Sequence, residues 1–277
     1  MKRLLRYVRN LVRFMKSGGV VYATVGQIDY GRLLKGKCAV VTGGTSGIGF
    51  AIAQKFLALG ATVCIVGRNE TKLEKAVLEL SADKKEIVSY CWDLQDISDA
   101  QHHVAAIGEM LGSIDIWVNN AGIYVAKDAD FTESEWDMVM DTDCRSLYFI
   151  METITKKMQG KRGAAKKIIN ITSNRGVFAD RGPYGAAKIA AISLTQGFAK
   201  KFAPKGIIIN SIAPGITASN INHMDTKGNL YVEEDPNYRV ALPQELAELA
   251  AFLASDAANH IVGQNIVCDG GQSLLSV

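Results

Sequence analysis

Nowhere in this 277-residue chain do about 20 apolar residues run together, so no membrane-spanning helix is expected. Proline occurs five times and histidine four, which argues against a proline-rich linker or a histidine-rich metal tract. Cysteine is sparse too. The five (Cys38, Cys64, Cys91, Cys144 and Cys268) show no C-x-x-C spacing. An odd number in a chain of this size speaks against a disulfide framework and for a reducing, cytoplasmic compartment. Four of them lie in or beside apolar strand-like runs, where cysteine acts as a small hydrophobe. No metal-ligand spacing is found, so no metal site is expected. Net charge is only +3, and residues 1–16 alone hold six Lys/Arg and no acid, which leaves the rest net acidic. That balance argues against a nucleic-acid-binding body.

What is present begins with that basic leader. MKRLLRYVRNLVRFMK interleaves Leu4, Leu5, Val8, Leu11, Val12 and Met15 with its cations at helical spacing. The pattern predicts a helix with one cationic and one apolar face, able to lie in an anionic headgroup interface. The alternatives are packing on the body or on a second subunit, a flexible leader, and an organelle transit peptide. Gly18–Gly19 breaks the helix, and residues 20–36 read as a connector.

From Lys37 onward strand and helix patterns alternate. Strands are expected at 38–41, 62–66, 87–92, 114–118, 167–171, 207–212 and 265–268. Helices are expected at 48–59, 72–80, 97–111, through Trp136 to about 158, around Tyr184 to 202, and at 245–255. His102 and His103 fall on a helix and are expected to face solvent. Short connections between such elements imply a parallel sheet covered on both faces. Residues 37–277 then form one domain behind the 1–36 extension.

The first strand ends in a glycine turn, Lys37–Gly49 reading KCAVVTGGTSGIG, and a helical pattern follows from Ile48. Strand, glycine turn and helix together make a phosphate cradle, because glycines let the backbone approach a pyrophosphate and helix N–H groups meet its charge. Alone, the turn is as readily an ordinary strand-to-helix connection. Further along, Tyr184 and Lys188 stand one helical turn apart on one face. A phenol with an ordinary pKa near 10 is a poor base at neutral pH, and a neighbouring ammonium favours its ionised form.

In order, the chain carries Thr42-Gly43-x-x-x-Gly47-Ile48-Gly49, Asn119-Asn120-Ala121-Gly122, Tyr184-x-x-x-Lys188, Pro214-Gly215 and Asp269-Gly270-Gly271. With these motifs the sequence resembles the short-chain dehydrogenase/reductase family from Lys37 to the C-terminus, and most of all its 3-oxoacyl-carrier-protein reductase and sugar or polyol dehydrogenase types. The resemblance implies a catalytic set of Ser173, Tyr184 and Lys188, with Asp143 where an active-site asparagine is usual. It implies cofactor contacts from Gly43, Thr45, Ser46, Gly47, Ile48, Gly49, Arg68, Asp93, Leu94, Asn120, Ala121, Gly122, Tyr184, Lys188, Pro214, Gly215, Ile216 and Thr217. It also implies a homodimer or homotetramer built through the long central helices and the C-terminal strand.

Three positions need comment. Ser173 precedes Tyr184 by eleven residues, a slightly short interval for the family, so Thr172 is the fallback. Asp143 supplies an acceptor in place of the amide but puts a charge near Lys188. Either the proton relay through the helix backbone survives or proton transfer is altered. At the second strand's end stands Gly67-Arg68, without the carboxylate that would accept a ribose 2′-OH. Arg68 therefore favours NADP(H), with NAD(H) as the alternative. Residues 218–239 are polar and poorly periodic, and the resemblance makes them a substrate-covering lid. His223 reads there as a loop residue.

The sequence thus predicts an α/β chain with a doubly wound Rossmann fold, one mainly parallel seven-stranded sheet with ligands at the carboxyl ends of its strands. The expected activity is hydride transfer between NADP(H) and a small ketone or secondary alcohol, with Tyr184 as general acid/base. The alternative is a membrane-docked nucleotide-binding regulatory or partner protein with little turnover. The expected location is the cytoplasm, with peripheral docking at a membrane through residues 1–16 as a further candidate.

Overall fold

The computed structural model describes residues 31–81, 86–125, 130–158, 165–219, 224–233 and 235–274, together with Val8, Arg9, Leu11, Val12 and Met15. Seven strands form one sheet: β1 (Cys38–Thr42), β2 (Thr62–Gly67), β3 (Ile87–Cys91), β4 (Ile116–Asn119), β5 (Lys166–Ile171), β6 (Ile207–Pro214) and β7 (Asn265–Cys268). Their order is β3-β2-β1-β4-β5-β6-β7 and every pairing is parallel. Parallel strands covered on both faces are apolar at nearly every position. In β1, Ala39 and Val41 point into one core and Val40 into the other.

The helices follow in alternation: α1 (Gly47–Ala58), α2 (Glu70–Leu80), α3 (Ala100–Leu111), α4 (Glu133–Met140), α5 (Ser146–Lys157), α6 (Pro183–Phe202) and α7 (Pro243–Ala254). One core packs Ile52 and Phe56 of α1, Leu73 of α2 and Leu246 and Ala250 of α7 against the sheet. The other packs Ile107 of α3, Ile150 and Ile154 of α5 and Phe198 of α6 around Trp117. Strand order reverses between β1 and β4, and the crevice at their carboxyl ends is where ligands bind in such folds.

Boundaries shift by small amounts for local reasons. Helix α2 starts at Glu70, two residues before the pattern predicts, because Asn69 caps it by accepting the Lys72 N–H at 2.9 Å. The one long helix expected through Trp136 is instead α4 and α5 joined by a π-helical turn, Asp141–Arg145. Leu34, at the end of the expected connector, is buried against α1, and its N–H donates to Leu59 O at 3.0 Å.

One smaller expectation is corrected, and two gain detail. His103 does not face solvent: its ring stacks on Trp92 at 4.7 Å, and Nδ1 lies 3.0 Å from the Tyr90 hydroxyl. Of the five free cysteines only Cys64 is buried, its thiol pushed up to about 12 by burial, while Cys91 is exposed. The stretch after Thr217 is not featureless either, because Ala218 and Leu230 bury with Val240 and Leu242, and Met224 and Val232 pack on them. His223 lies outside the described residues, as do most of residues 1–30. Among the described residues no helix is long and apolar enough to cross a membrane, and no cluster of potential metal ligands occurs.

Candidate active site

A cleft of about 640 Å³ opens at the carboxyl ends of the strands. All the expected catalytic and cofactor-contact residues line it except Asp143 and Gly49, which stand just behind its wall. At its floor the glycine turn makes a tight cradle. Gly43 has φ +64°, a conformation L side chains rarely adopt. A Cβ on Gly49 would collide with Gly43 O and the Asn120 amide. Ser46 caps α1 without a side-chain hydrogen bond, and no acid sits in the first turn. The N–H groups of this turn are therefore available to an anion, and the cradle fits a dinucleotide pyrophosphate.

The turn is held from the neighbouring strand. Asn120 Nδ2 donates to Thr42 O at 2.9 Å and Gly43 O at 3.2 Å, and the N–H groups of Asn120 and Ala121 both donate to Thr42 Oγ1. Asn119 instead ties strands together, donating to Asn170 Oδ1 at 2.8 Å and accepting from Trp117 Nε1 at 2.7 Å. Thus of the two asparagines one shapes the cradle and the other knits the sheet.

At one end of the cleft Arg68 is joined by two residues the sequence reading passed over, Asn69 and Lys72. The signal was there: Arg68 and Lys72 are four apart, with Lys72 in the first turn of α2. Asp93 is the single carboxylate in the lining among the described residues.

At the centre, Ser173 stands two residues past the end of β5, and its Oγ accepts the Arg175 N–H at 3.2 Å. The fallback Thr172 is committed elsewhere, its hydroxyl bonding Ile212 O at 2.9 Å and Asn265 Oδ1 at 2.8 Å. Tyr184, in the first turn of α6, meets the ring of Tyr124 edge-on at 5.1 Å. Lys188 Nζ sits 5.2 Å from the Tyr184 ring centroid and donates to Ile171 O at 3.4 Å.

Behind Lys188 lies Asp143, inside the π-helical turn, with its Oδ2 2.9 Å from Nζ. The contact is a buried ion pair, and the other oxygen, Oδ1, accepts the Ile123 N–H at 2.9 Å. Burial pulls the Lys188 ammonium toward deprotonation, but the charges of Asp143 and Tyr184 together outweigh it and hold its pKa above the ordinary value. A space of about 20 Å³ between Thr42, Asn170, Ser146 and this pair has room for one water.

Beyond the chemistry, a polar knot closes the far wall. Gln272 Oε1 accepts from Asn174 Nδ2 at 2.9 Å and Ile216 N at 3.3 Å, and Gln272 Nε2 donates to Asp235 Oδ2 at 2.8 Å. A side chain at Gly215 would strike Gln272 Oε1 and Asp269. Burial, aided by the charge of Asp269, pushes the Asp235 carboxyl above its usual range despite bonds from Asn237 N–H and Gln272. Gln272 had no motif to announce it.

Comparison with known proteins agrees with this geometry. The family model described as enoyl-(acyl carrier protein) reductase matches residues 43–273. The chain is 36% identical to a 3-oxoacyl-(acyl-carrier-protein) reductase FabG of Chlamydia muridarum, over 87% of this chain and 99% of that protein. Among solved structures it is similar to a putative gluconate dehydrogenase from Agrobacterium tumefaciens, with TM-score 0.79, 30% identity, and coverage of 88% of this chain and 99% of that one. It is likewise similar to an actinorhodin polyketide ketoreductase variant with NADPH, with TM-score 0.79, 25% identity, and coverage of 86% and 98%. These relatives are named as enzymes and lend no support to a purely regulatory protein. The chain belongs to the short-chain dehydrogenase/reductase family, and it is an NAD(P)-dependent oxidoreductase.

Proposed function

We propose that the protein moves a hydride between NADP(H) and a ketone or secondary alcohol, with Tyr184 as general acid and base. The observation that carries this reading is the convergence of Ser173, Tyr184 and Lys188 on one cleft that also contains the glycine cradle. In it Gly43 and Thr45–Gly49 hold the pyrophosphate, Asp93 and Leu94 the adenine, and Asn120–Gly122, Lys188 and Pro214–Thr217 the nicotinamide riboside. Bound there, the nicotinamide supplies or accepts the hydride. Arg68 and Lys72, with no carboxylate at the end of β2, suit a 2′-phosphate, and the similar ketoreductase is described with NADPH.

In the reducing direction the Ser173 hydroxyl positions the carbonyl oxygen, and Tyr184 donates its proton to that oxygen. In the oxidising direction Tyr184 takes the proton back. Lys188, held as an ammonium, offsets the negative charge left on the phenol oxygen. Asp143 acts through Lys188 as a positioning residue and as its counter-charge.

The same reading includes self-association. Trp136, Tyr148, Phe149 and Ile189 of α4, α5 and α6 are exposed, as is Val267 on the edge strand β7. Large apolar side chains grouped on paired helices suit a second copy of the chain, giving a homodimer or homotetramer. Light scattering after gel filtration tests this, and a monomer at micromolar concentration overturns it. For the activity, NADPH and NADH consumption is measured against a panel of ketones. Firm cofactor binding without turnover of any of them would overturn the catalytic reading.

A further inference from the structure

The charges lining the cleft are unevenly distributed. Arg68 and Lys72 stand with Asp93 at the adenosine end, and Lys188 is neutralised by Asp143 at the centre. Among the described residues one further cation, Arg175, also lines the cleft, two residues beyond Ser173, and its carboxylate partner, Asp180, stands outside the lining. Apolar side chains, Ile123, Tyr124, Ile216 and Met224, line the same cleft.

From this arrangement we infer that Arg175 is the substrate-specificity residue and that the substrate is a carbonyl compound bearing an anionic group, a carboxylate above all, a few carbons from the carbonyl. The inference rests on the hydride-transfer reading for where the carbonyl sits. Backbone geometry ties the two sites together: the Arg175 N–H donates to Ser173 Oγ at 3.2 Å. Two residues span at most about 7 Å of Cα trace, and an arginine side chain covers a similar distance. An acid separated from the reacting carbon by a short chain falls within that reach.

The guanidinium is anchored but not consumed. Nη1 contacts Asp180 Oδ2 at 3.2 Å, the guanidinium carbon lies 5.7 Å from the Phe178 ring centroid, and the side chain remains 46% exposed. Asp180 also accepts the Gly182 N–H at 2.9 Å through its other oxygen. Among the described residues, Asp180 is the one hydrogen-bond partner of the guanidinium. The remaining N–H groups form a planar fork suited to a carboxylate, and an acid entering an apolar pocket needs such a partner to offset its desolvation.

The test pairs acids with neutral esters: acetoacetate against methyl acetoacetate, and levulinate against methyl levulinate. Binding of each to the full-length protein saturated with oxidised cofactor is measured by calorimetry, for wild type, Arg175→Met and Asp180→Asn. The expected result is at least a tenfold preference of the wild type for one of the acids, reduced to within threefold of parity by Arg175→Met and kept by Asp180→Asn. An Arg175 that merely staples its loop would change acid and ester binding alike, and so would the loss of Asp180. No acid preference in either pair, or a preference that survives Arg175→Met, would overturn the inference. Turnover of the same four compounds is read separately: acid preference in binding with no reduction of any ketone would sink the hydride-transfer reading and leave the anion site standing.

Discussion

Asp143 Oδ2 stands 2.9 Å from Lys188 Nζ, with both side chains almost sealed from water. The π-helical turn that carries Asp143 makes this possible, since the local widening of the helix swings residue 143 toward α6. The substitution of a carboxylate for the amide usual at this position therefore does more than preserve an acceptor. It turns the lysine's neighbourhood into a closed ion pair that keeps the ammonium charged.

Replacing Asp143 by Asn removes the larger upward pull on Lys188 and leaves the charge of Tyr184 against the downward pull of burial. A lysine whose pKa is raised on folding contributes stability below its unfolded value, and this is lost as pH climbs through its folded value. In Asp143→Asn the alkaline fall of kcat/KM should move to lower pH, by about 1–3 units. Stability should drop by up to about 3–5 kcal/mol, the usual cost of breaking a buried pair. Rate profiles and denaturant melts check both. A large rate gain with an unmoved alkaline limb would show instead that the natural aspartate impedes the relay.

On the proposed reading, Arg68 and Lys72 together set the choice of dinucleotide. The double variant Arg68→Ala/Lys72→Ala should weaken NADPH binding by about 10- to 100-fold, the loss of one or two charge-assisted contacts, and change NADH binding little. Fluorescence titration decides it. Tighter binding of NADH than NADPH by the wild type would reverse the assignment.

Ser173 and Thr172 are adjacent yet differently engaged, so their variants should separate. Ser173→Ala is expected to lower kcat by about 100-fold with an unchanged melting temperature. Thr172→Val loses bonds to Ile212 O and Asn265 Oδ1 and should cost about 1–3 kcal/mol of stability. Equal kinetic losses in the two would mean the catalytic hydroxyl has been misassigned.

Lys167 offers a pH signature unrelated to catalysis. It is 2% exposed in β5, its Nζ donating to Asn259 Oδ1 at 2.5 Å, and burial lowers its pKa to about 8 despite the nearby Asp256. Between about 8 and the unfolded value of 10.5 the unfolded chain holds a proton that the native state has released. Stability from this group should therefore rise with pH across that window, by up to about 3 kcal/mol. Lys167→Met should flatten the rise, and urea melts at pH 7.5 and 10 measure it.

Val8, Leu11, Val12 and Met15 are helical and exposed, in keeping with a face that meets a lipid interface. Flotation with anionic liposomes should retain the full chain and lose a chain lacking residues 1–16. Equal binding by both forms would remove the membrane proposal.

Much of the molecule was legible in its residues, because local rules dominate where side-chain pattern and backbone agree. Runs of β-branched residues placed all seven strands, and glycine at 43, 47 and 49 marked the cradle, since few other residues tolerate a positive φ or so close an approach. Tyr184 and Lys188 were legible because helical periodicity alone puts them on one face. Arg175 and Gln272 were not, because their relevance depends on which loops the sheet brings together. Gln272 meets Asn174 across 98 residues of chain, and no local spacing encodes such a distance. His103 was misread for the same reason: its neighbour Trp92 comes from the residue after β3 and not from its own helix.

The alternation, the sheet, the cradle and the identity of the chemical groups follow from the residues alone, as consequences of propensity and period. How those groups are charged and paired follows from the folded arrangement. The π-turn between α4 and α5 puts Asp143 against Lys188, and the return of β5 beside β4 sets Ser173 and Arg175 at the same cleft. Such pairings follow from long-range packing, in which each contact depends on where every other element has come to rest.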